Sequence, residues 1–327
     1  MKECWERTEA PVELNLPEIE ELVRPVFNGK RVIAARRINE GFSNSNYKIR
    51  LDGIEKPYVL RLYRGGAEVA DKELAIARLV QDNVSVPHIL FADGSCSRFE
   101  RPWAVVEWKD GSLLRDVRRT GGAEDIIAAA ASVGSSLACI HAYSFPVAGF
   151  FGNNLAVDHP LRMDSDNFLA FIEDSLFVKR CGYWLGEEMT HALWSFSRRY
   201  GPLLSEHQEA PVLVHSDFNG LNVLIEQSRS RSVSAVLDWE FAFSGSRLVD
   251  IANMLRYEEN NSTFEQHFIG AYVQAGGVLP SDWRLLSRLE DLVALCDMLN
   301  SSTDETPNRM LDLKRLITKT LNEYAPI

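Results

Sequence analysis

The residues best suited to chemistry lie in two short segments of the second half of the chain. These are residues 215–222 (HSDFNGLN) and 236–240 (VLDWE). Asp217 and Asn222 are separated by four residues on a predicted loop between two strands, and Asp238 ends a third predicted strand. Phosphoryl transfer needs a carboxylate to orient the acceptor hydroxyl, and amide and carboxylate oxygens to hold Mg²⁺ against nucleotide phosphates. The D-x-x-x-x-N spacing with a later Asp supplies those groups.

Two other interpretations of the first segment need weighing. Asp and Asn favour turns, so His215, Asp217 and Asn222 could be turn residues without a chemical role. The adjacent His-Ser-Asp also suggests a hydrolase triad. A functional triad is assembled from separated segments of the chain, however, and the sequence contains no G-x-S-x-G motif. The hydrolase interpretation is therefore set aside.

The sequence of these segments also resembles that of a known family. HSDFNGLNVLIE and VLDWEFAFSGSRLVDIANML are similar to the catalytic and metal-binding region of the aminoglycoside phosphotransferase and choline kinase-like superfamily. The resemblance implies a protein-kinase-like fold and transfer of the γ-phosphate of ATP to a hydroxyl, usually on a small molecule. It assigns the catalytic base to Asp217, a Mg²⁺ ligand to Asn222 and the principal Mg²⁺ ligand to Asp238.

The same resemblance gives four nearby residues lesser roles. Glu240 stands where the family often has a second acidic residue. Asp250 matches a helix-borne Asp that is structural in these proteins. His215 is expected to brace the loop, and His141 to pack beneath it, rather than to carry protons.

The resemblance places the nucleotide phosphates under a loop between the first two predicted strands. Gly41 lets the backbone turn and approach an anion, while Ser43, Asn44 and neighbouring amides can donate hydrogen bonds. An ordinary Asn-rich hairpin loop is the alternative for this stretch.

Three further residues complete the predicted nucleotide site. Arg61, in the strand YVLRLY, matches the basic residue that pairs with the α- and β-phosphates. Many relatives carry Lys there, and an Arg keeps the charge while binding two oxygens with its planar fork. Glu73 is the expected partner that orients Arg61, with a surface-exposed Glu73 as the alternative. Glu107 lies at the predicted hinge, where backbone groups would read the adenine edge.

Around these residues, hydrophobic periodicity predicts an α+β chain with a small β-rich lobe, a short hinge and a larger helical lobe, and the resemblance implies that this is the bilobal protein-kinase-like fold. The N-terminal lobe, residues 1–108, is predicted to hold an antiparallel meander, one helix and two more strands: 30–38, 46–51, 58–63, helix 68–81, then 88–92 and 103–108. The C-terminal lobe, 109–327, is predicted to be mostly helical, with strands near 212–214, 223–226 and 235–237. The hinge falls at about 107–112, where Lys109-Asp110-Gly111-Ser112 is polar and turn-prone.

Charge and cysteine content limit the partners and the compartment. The net charge is −11, and residues 109–327 carry 19 basic and 29 acidic residues, so neither nucleic acid nor an anionic membrane surface is expected as the main partner. The five scattered cysteines indicate reduced, mostly buried thiols. No signal peptide is visible, and the apolar stretch 126–140 is interrupted by Ser and Gly. We expect no membrane span and a cytoplasmic protein.

The sequence thus predicts an ATP- and Mg²⁺-dependent phosphotransferase with a small hydroxyl-bearing acceptor of the aminoglycoside, choline, sugar or homoserine-like type. The acidic C-terminal part could meet a cationic acceptor, with a solubilising surface as the alternative, and the resemblance makes Glu290, Asp291 and Asp297 candidate contacts for an amine. A solvated helix face is the alternative for these acids. A protein Ser/Thr kinase of the same minimal fold and a catalytically silent nucleotide-binding relative are the competing functions.

Overall fold

Five antiparallel strands form the sheet of the smaller lobe. The structure is a computed structural model that describes residues 5–7, 10–38, 44–162, 164–206 and 209–324. The strands are β1 Val32–Ile38, β2 Ser45–Leu51, β3 Tyr58–Leu62, β4 Ile89–Asp93 and β5 Trp103–Glu107, in the order β1-β2-β3-β5-β4. The predicted meander is therefore correct. Alternate side chains of β2, among them Tyr47, Ile49 and Leu51, are buried because successive residues of a strand point to opposite faces.

Two helices accompany this sheet, α1 Leu16–Val23 and α2 Ala67–Val80. Helix α2 was predicted from the sequence, whereas α1 was not. A capping box begins α1: the Asn15 side chain accepts from the Glu18 amide, and the Glu18 carboxylate accepts from the Asn15 amide. Ile19, Leu22 and Val23 then bury one face of this short helix against the sheet core.

The larger lobe is mostly helical and contains two small sheets. Its helices are α3 Leu114–Thr120, α4 Ala123–His141, α5 Ser165–Phe177, α6 Cys181–Leu185, α7 Glu187–Tyr200, α8 Leu203–Glu206, α9 Leu248–Leu255, α10 Thr263–Gln274, α11 Trp283–Asn300 and α12 Pro307–Glu323. Its strands are β6 Ser112–Leu113, β7 Gly149–Phe151, β8 Val157–Pro160, β9 Val212–Val214, β10 Val223–Ile225, β11 Val233–Val236 and β12 Phe243–Gly245. They form the sheets β11-β10-β6 and β8-β7-β12-β9.

The change from one lobe to the other falls where the chain leaves the first sheet. Strand β5 ends at Glu107, and β6 begins at Ser112 in a different sheet. The exact boundary after residue 108 stays a prediction. The segment 215–222 connects β9 to β10, which belong to different sheets, and Asp238 follows β11. The turn between two sheets is therefore what brings these polar residues together.

Helix α4 is the long apolar helix of the larger lobe. Within the described part of the chain it is the one helix whose length, 19 residues, and hydropathy would suit a membrane crossing. By those two measures the expectation that this stretch falls short of a span is wrong. In the structure α4 lies along α10 so closely that a Cβ on Gly134 would stand 2.1 Å from the Phe268 carbonyl oxygen. Val133 and Leu137 are fully buried in the same lobe.

The cysteines of the described residues are free thiols. Cys181 and Cys296 are buried and Cys139 is half-buried, as expected, whereas Cys96 is exposed on a loop. Cys4 lies outside the described residues.

Candidate active site

A buried carboxylate on α9 holds the backbone of the segment 215–222, here named the catalytic loop. Asp250 is fully buried, and its Oδ2 and Oδ1 accept from the amides of His215 and Ser216 at 2.8 Å each. Ser216 has a φ of 71°, a left-handed conformation that a residue with a side chain adopts only when its surroundings enforce it. The amide group of Asn253 adds a bond to the Ser216 carbonyl at 2.9 Å. The α9 helix therefore fixes the strained turn that presents the next residue.

His215 ties the same loop to the end of β11. Its ring nitrogens contact the Leu237 carbonyl (Nε2, 2.9 Å) and the Asp217 amide (Nδ1, 3.2 Å). Because a carbonyl accepts and an amide donates, Nε2 carries the proton and Nδ1 is the acceptor. Below it, His141 bonds the Tyr272 hydroxyl at 2.9 Å and Asp250 at 3.3 Å. Burial lowers the pKa of His141, although Asp250 opposes that shift. Both histidines have the bracing geometry that the sequence predicted.

Two asparagine amides hold the Asp217 carboxylate in place. Asn222 Nδ2 donates to Asp217 Oδ2 at 2.8 Å and to the Asp217 carbonyl at 2.9 Å. Asn219 Nδ2 donates to the other carboxylate oxygen at 2.7 Å. Asp217 and Asn222, predicted from their spacing, are therefore neighbours in space. Asn219 was not predicted to contribute, although it lies within the same motif.

A cluster of four charged side chains, Arg61, Glu73, Asp238 and Glu240, joins the two lobes and is named here the lobe junction. Arg61 Nη2 bonds Asp238 Oδ1 at 2.6 Å, and Arg61 Nε lies 3.2 Å from Glu73 Oε2. The predicted pairing of Arg61 with Glu73 is present, and Glu73 is buried rather than on the surface. The contact of Arg61 with Asp238 across the lobes was not foreseen. Asp238 has a φ of 67°, a second left-handed residue at the site.

Glu240 is the fourth member of the lobe junction. Burial raises its pKa to about 7, and the neighbouring charge of Asp238 adds to the rise, whereas Arg61 opposes it. Glu240 Oε2 accepts from Asn44 Nδ2 at 3.1 Å, and Asn44 Oδ1 accepts from the Arg64 amide at 2.9 Å. Asn44, predicted to face a phosphate, thus uses its side chain to connect the lobes.

The donor set between the catalytic loop and Asp238 fits Mg²⁺, which prefers carboxylate and amide oxygens. Asn222 uses its amide nitrogen on Asp217, so its oxygen is the atom left for a cation. Asp238 has Oδ2 to offer, because Oδ1 accepts from Arg61. No group of three or more His, Cys, Asp or Glu side chains in the described residues could hold a metal by itself. The remaining ligands of a cation here would come from nucleotide and water.

The other predicted nucleotide contacts have mixed outcomes. Gly41 and Ser43 lie outside the described residues, so their roles stay predictions. The Glu107 amide donates to the His88 carbonyl at 2.8 Å, and the Glu107 side chain pairs with Lys109 at 3.0 Å. Strand pairing with the β4 side thus already uses the Glu107 amide, and the expectation that backbone groups of the hinge read an adenine edge stays a prediction. Burial raises the pKa of Glu107, but hydrogen bonds from Lys109 and the His88 amide lower it. The net effect is a decrease of this pKa.

One cleft between the lobes, with a volume of about 1090 Å³, is bordered by most of the predicted site residues: Arg61, Glu73, Glu107, Asp217, Asn222, Asp238 and Glu240. Part of the cleft wall beside the hinge is apolar, as a flat nucleotide base requires. This surface is formed by Val59, Ala77, Ile89, Val106 and Val236. At the other end the wall comes from α9, α11, α12 and the N-terminal segment.

Two of the three acids proposed to contact an amine are engaged elsewhere. Asp291 forms a buried two-pronged pair with Arg256, with distances of 2.6 and 3.0 Å. Glu290 is buried toward Ser246, and burial raises its pKa to about 7. Of these three acids, only Asp297 borders the cleft. It lies almost two helical turns further along α11 than Glu290 and Asp291.

The fold and the site can be set beside known proteins. The model of the phosphotransferase enzyme family matches residues 34–289. A comparison with curated proteins found no match. Among solved structures, the chain is similar to the aminoglycoside phosphotransferase APH(4)-Ia, with a TM-score of 0.72, 17% identity, and coverage of 95% of this chain and 100% of that one.

Two further structures have the same fold. A mutant of the aminoglycoside 2'-phosphotransferase-IIIa in complex with GDP has a TM-score of 0.73 and 16% identity, over 94% of this chain and 98% of that one. A putative aminoglycoside phosphotransferase from Ralstonia eutropha JMP134 has a TM-score of 0.67 and 14% identity, over 95% and 98%. At these identities the structures support the bilobal kinase-like fold, and the family model covers most of the sequence. The chain belongs to the phosphotransferase enzyme family.

Proposed function

We propose that this protein transfers the γ-phosphate of ATP, in the presence of Mg²⁺, to a hydroxyl of a small-molecule acceptor. The observation that carries the proposal is the pairing of Asp217 with Asn222 in the cleft that also holds the Arg61–Asp238 contact. This arrangement supports a role for the Asp217 carboxylate toward the acceptor and for Asn222 and Asp238 toward the cation.

In this proposal each residue has a separate task. The apolar wall beside the hinge receives the base, and Arg61, oriented by Glu73, binds the α- and β-phosphates. Asn222 and Asp238 hold Mg²⁺, which neutralises charge on the phosphates when bound. Asp217 aligns the acceptor hydroxyl and accepts its proton, while Asn219 and Asn222 fix the direction of the carboxylate. Glu240 accepts a hydrogen bond from Asn44 and so links the segment that carries Asp238 to the small lobe.

The relatives support the nucleotide part of the proposal. Structures of APH(4)-Ia variants are ternary complexes with ADP or AMP-PNP and hygromycin B, and another neighbour is a complex with GDP and kanamycin. Since these neighbours differ in the base of their nucleotide, both ATP and GTP belong in the test.

The test of the proposal is a titration combined with a product assay. Binding of Mg²⁺·AMP-PNP and of the GTP analogue is measured by calorimetry for the parent, for Asp238→Ala and for the control Asp304→Ala, an exposed acid outside the cleft. ADP or GDP release is then followed with amino alcohols, sugars, aminoglycosides and a generic protein substrate. We expect Asp238→Ala alone to lose metal-dependent binding. Equal binding by Asp238→Ala and the parent would remove Asp238 from the metal site.

A further inference from the structure

The end of the cleft away from the hinge is where an acceptor must approach Asp217. Six residues that border this end are Trp5, Glu6, Arg256, Asp297, Met298 and Arg309. Arg256 lies close enough to Asp217 for the two charges to interact. These side chains come from the N-terminal segment, the residue that follows α9, α11 and α12, none of which forms the hinge. Their charges therefore bear on the acceptor rather than on the base.

The acidic groups at this end are fewer than the sequence suggests. Glu6 is already engaged, since its two oxygens accept from the amides of Asn308 and Arg309 at 2.8 and 3.2 Å, at the first turn of α12. The Arg256 charge is balanced by Asp291 from behind the wall. Asp297 is left as the exposed carboxylate on the wall.

Arg309 is a positively charged residue that borders the same cleft as Asp297. Its Nη2 donates to the Met298 carbonyl at 2.8 Å and to Ser301 Oγ at 2.7 Å, both neutral acceptors. The charges of Asp297 and Glu6 act on Arg309 through space, although no ion pair of the described residues includes it, and its Nε is buried without a hydrogen-bond partner. The positive charge of Arg309 is therefore offset at a distance and not by direct contact.

The N-terminal segment fixes the position of this cation. The Arg309 guanidinium lies over the Trp5 ring, 5.4 Å from its centroid, and Trp5 Nε1 donates to Asp312 Oδ2 at 3.1 Å. Further along, the Val12 and Leu14 amides bond Ser45 Oγ and the Tyr47 hydroxyl of the small lobe at 3.0 and 2.9 Å. The segment thus reaches from the small lobe to α12 and places a flat aromatic face against Arg309.

Resting on the proposed function, we propose that the acceptor is a hydroxylated zwitterion, with its anionic group at Arg309 and its ammonium group at Asp297. A polycation would find one exposed carboxylate where it needs several, and would meet the positive charge of Arg309 near that carboxylate. In the transfer, the acceptor oxygen bonds to the γ-phosphorus and the bond from that phosphorus to the β–γ bridging oxygen breaks. The hydroxyl proton passes to Asp217, and ADP leaves.

Matched acceptors separate the contribution of the carboxylate from that of the rest of the molecule. L-serine is compared with ethanolamine and L-homoserine with propanolamine, each pair differing by one carboxylate, and kanamycin and hygromycin B serve as polycations. We expect the amino acid of a pair to exceed its amino alcohol in kcat/KM by about tenfold or more, the worth of one charge-assisted bond. Arg309→Gln should remove that advantage, and Arg309→Lys should restore part of it, with the KM for Mg²⁺·ATP unchanged.

The control variant is Lys314→Gln, which removes a positive charge from the same helix outside the cleft. The inference is overturned if kanamycin or hygromycin B has a higher kcat/KM than every amino acid. It is also overturned if Arg309→Gln lowers the turnover of each amino alcohol as much as that of its amino acid, since Arg309 would then be structural only. A parent that binds Mg²⁺·AMP-PNP but phosphorylates none of the amino acids overturns this inference and leaves the nucleotide part of the proposed function standing.

Discussion

Two groups of buried charges meet at the cleft, and they differ in how completely the protein satisfies them. Behind the catalytic loop, both oxygens of Asp250 accept bonds, and His141 and His215 use both ring nitrogens. We name this group, Asp250 with the two histidines, the buttress. At the lobe junction, by contrast, Glu240 Oε1 is buried without a hydrogen-bond partner in the described residues, and Arg61 Nε and Glu73 Oε2 form an ion pair at 3.2 Å without a hydrogen bond.

The difference indicates which part of the site the protein completes alone. Buried polar groups are normally hydrogen-bonded, so the buttress can hold the catalytic loop in its strained form before any ligand arrives. The lobe junction has three carboxylates around one guanidinium. Burial is the larger cause of the raised pKa of Glu240, and the excess negative charge raises it further. Such an excess is what a bound cation would balance. The loop is preorganised, and the junction is prepared for a ligand.

The largest expected effect concerns Asp217, which lies between the two groups. Asp217→Asn keeps the shape of the side chain and loses its negative charge, so turnover should fall by roughly 10²–10⁴-fold with nucleotide affinity little changed. Steady-state turnover and calorimetric titration of the folded variant measure the two quantities. In the double variant with Asp238→Asn, the fold-decrease in turnover should be smaller than the product of the two single decreases, because both residues act in one transition state. Full activity of Asp217→Asn would contradict the base assignment.

The next effect tests the buttress. Asp250→Ala leaves the buried amides of His215 and Ser216 without their acceptor, and each such group costs about 1–3 kcal/mol. We therefore expect the free energy of unfolding to fall by about 3 kcal/mol in urea titrations. The exposed control, Asp304→Ala, should change it by no more than about 0.5 kcal/mol. A stable Asp250→Ala with an unchanged loop would show that the strand ends alone hold the turn.

A smaller effect is expected from the arginine of the lobe junction. Arg61→Ala should weaken Mg²⁺·AMP-PNP binding by roughly 10- to 100-fold, the worth of hydrogen bonds to charged groups. Arg61→Lys keeps the charge without the planar fork and should recover part of the loss. The measurement is the dissociation constant in parallel titrations. Identical constants for Arg61→Ala and the parent would take Arg61 out of the nucleotide site.

The last effect is a pH dependence of stability that comes from Glu240. The folded protein keeps the Glu240 proton up to a pKa of about 7, whereas the unfolded chain releases it near the usual value of 4.5. The folded state therefore binds more protons between these values, and its stability falls as the pH rises through this range.

Without nucleotide or metal, Glu240→Gln should remove that loss. We expect the variant to match the parent near pH 4.5 and to exceed it near pH 8 by up to about 3 kcal/mol, since one unit of pKa corresponds to about 1.4 kcal/mol and folding raises this pKa from 4.5 to about 7. Urea titrations at both pH values give the difference. An equal pH slope in the two proteins would mean that Glu240 titrates normally in the fold.

Much of the architecture could be predicted because it depends on local patterns. Alternating apolar residues predicted β2 and β3, and helical spacing predicted α2 and the long helices of the larger lobe. Short elements were missed, as in α6 Cys181–Leu185 and β6 Ser112–Leu113, which are too brief for a periodicity to emerge. Helix α1 was missed for a different reason: its signal is the pair Asn15 and Glu18, a capping box rather than a pattern of apolar residues.

Within the site, the sequence alone determined which residues are adjacent through a short segment. Asp217 and Asn222 had to be close, because only four residues separate them, and Asp238 follows β11, which pairs with β10. Only the tertiary structure decided the contacts between distant segments: Arg61 with Asp238, Asn44 with Glu240, and Trp5 over Arg309. Spacing along the chain fixes local geometry, whereas the choice of partner for a buried charge depends on which elements the fold brings together and how much water it excludes. That is why Asp291, which the sequence offered to an amine, is bound by Arg256 inside the protein.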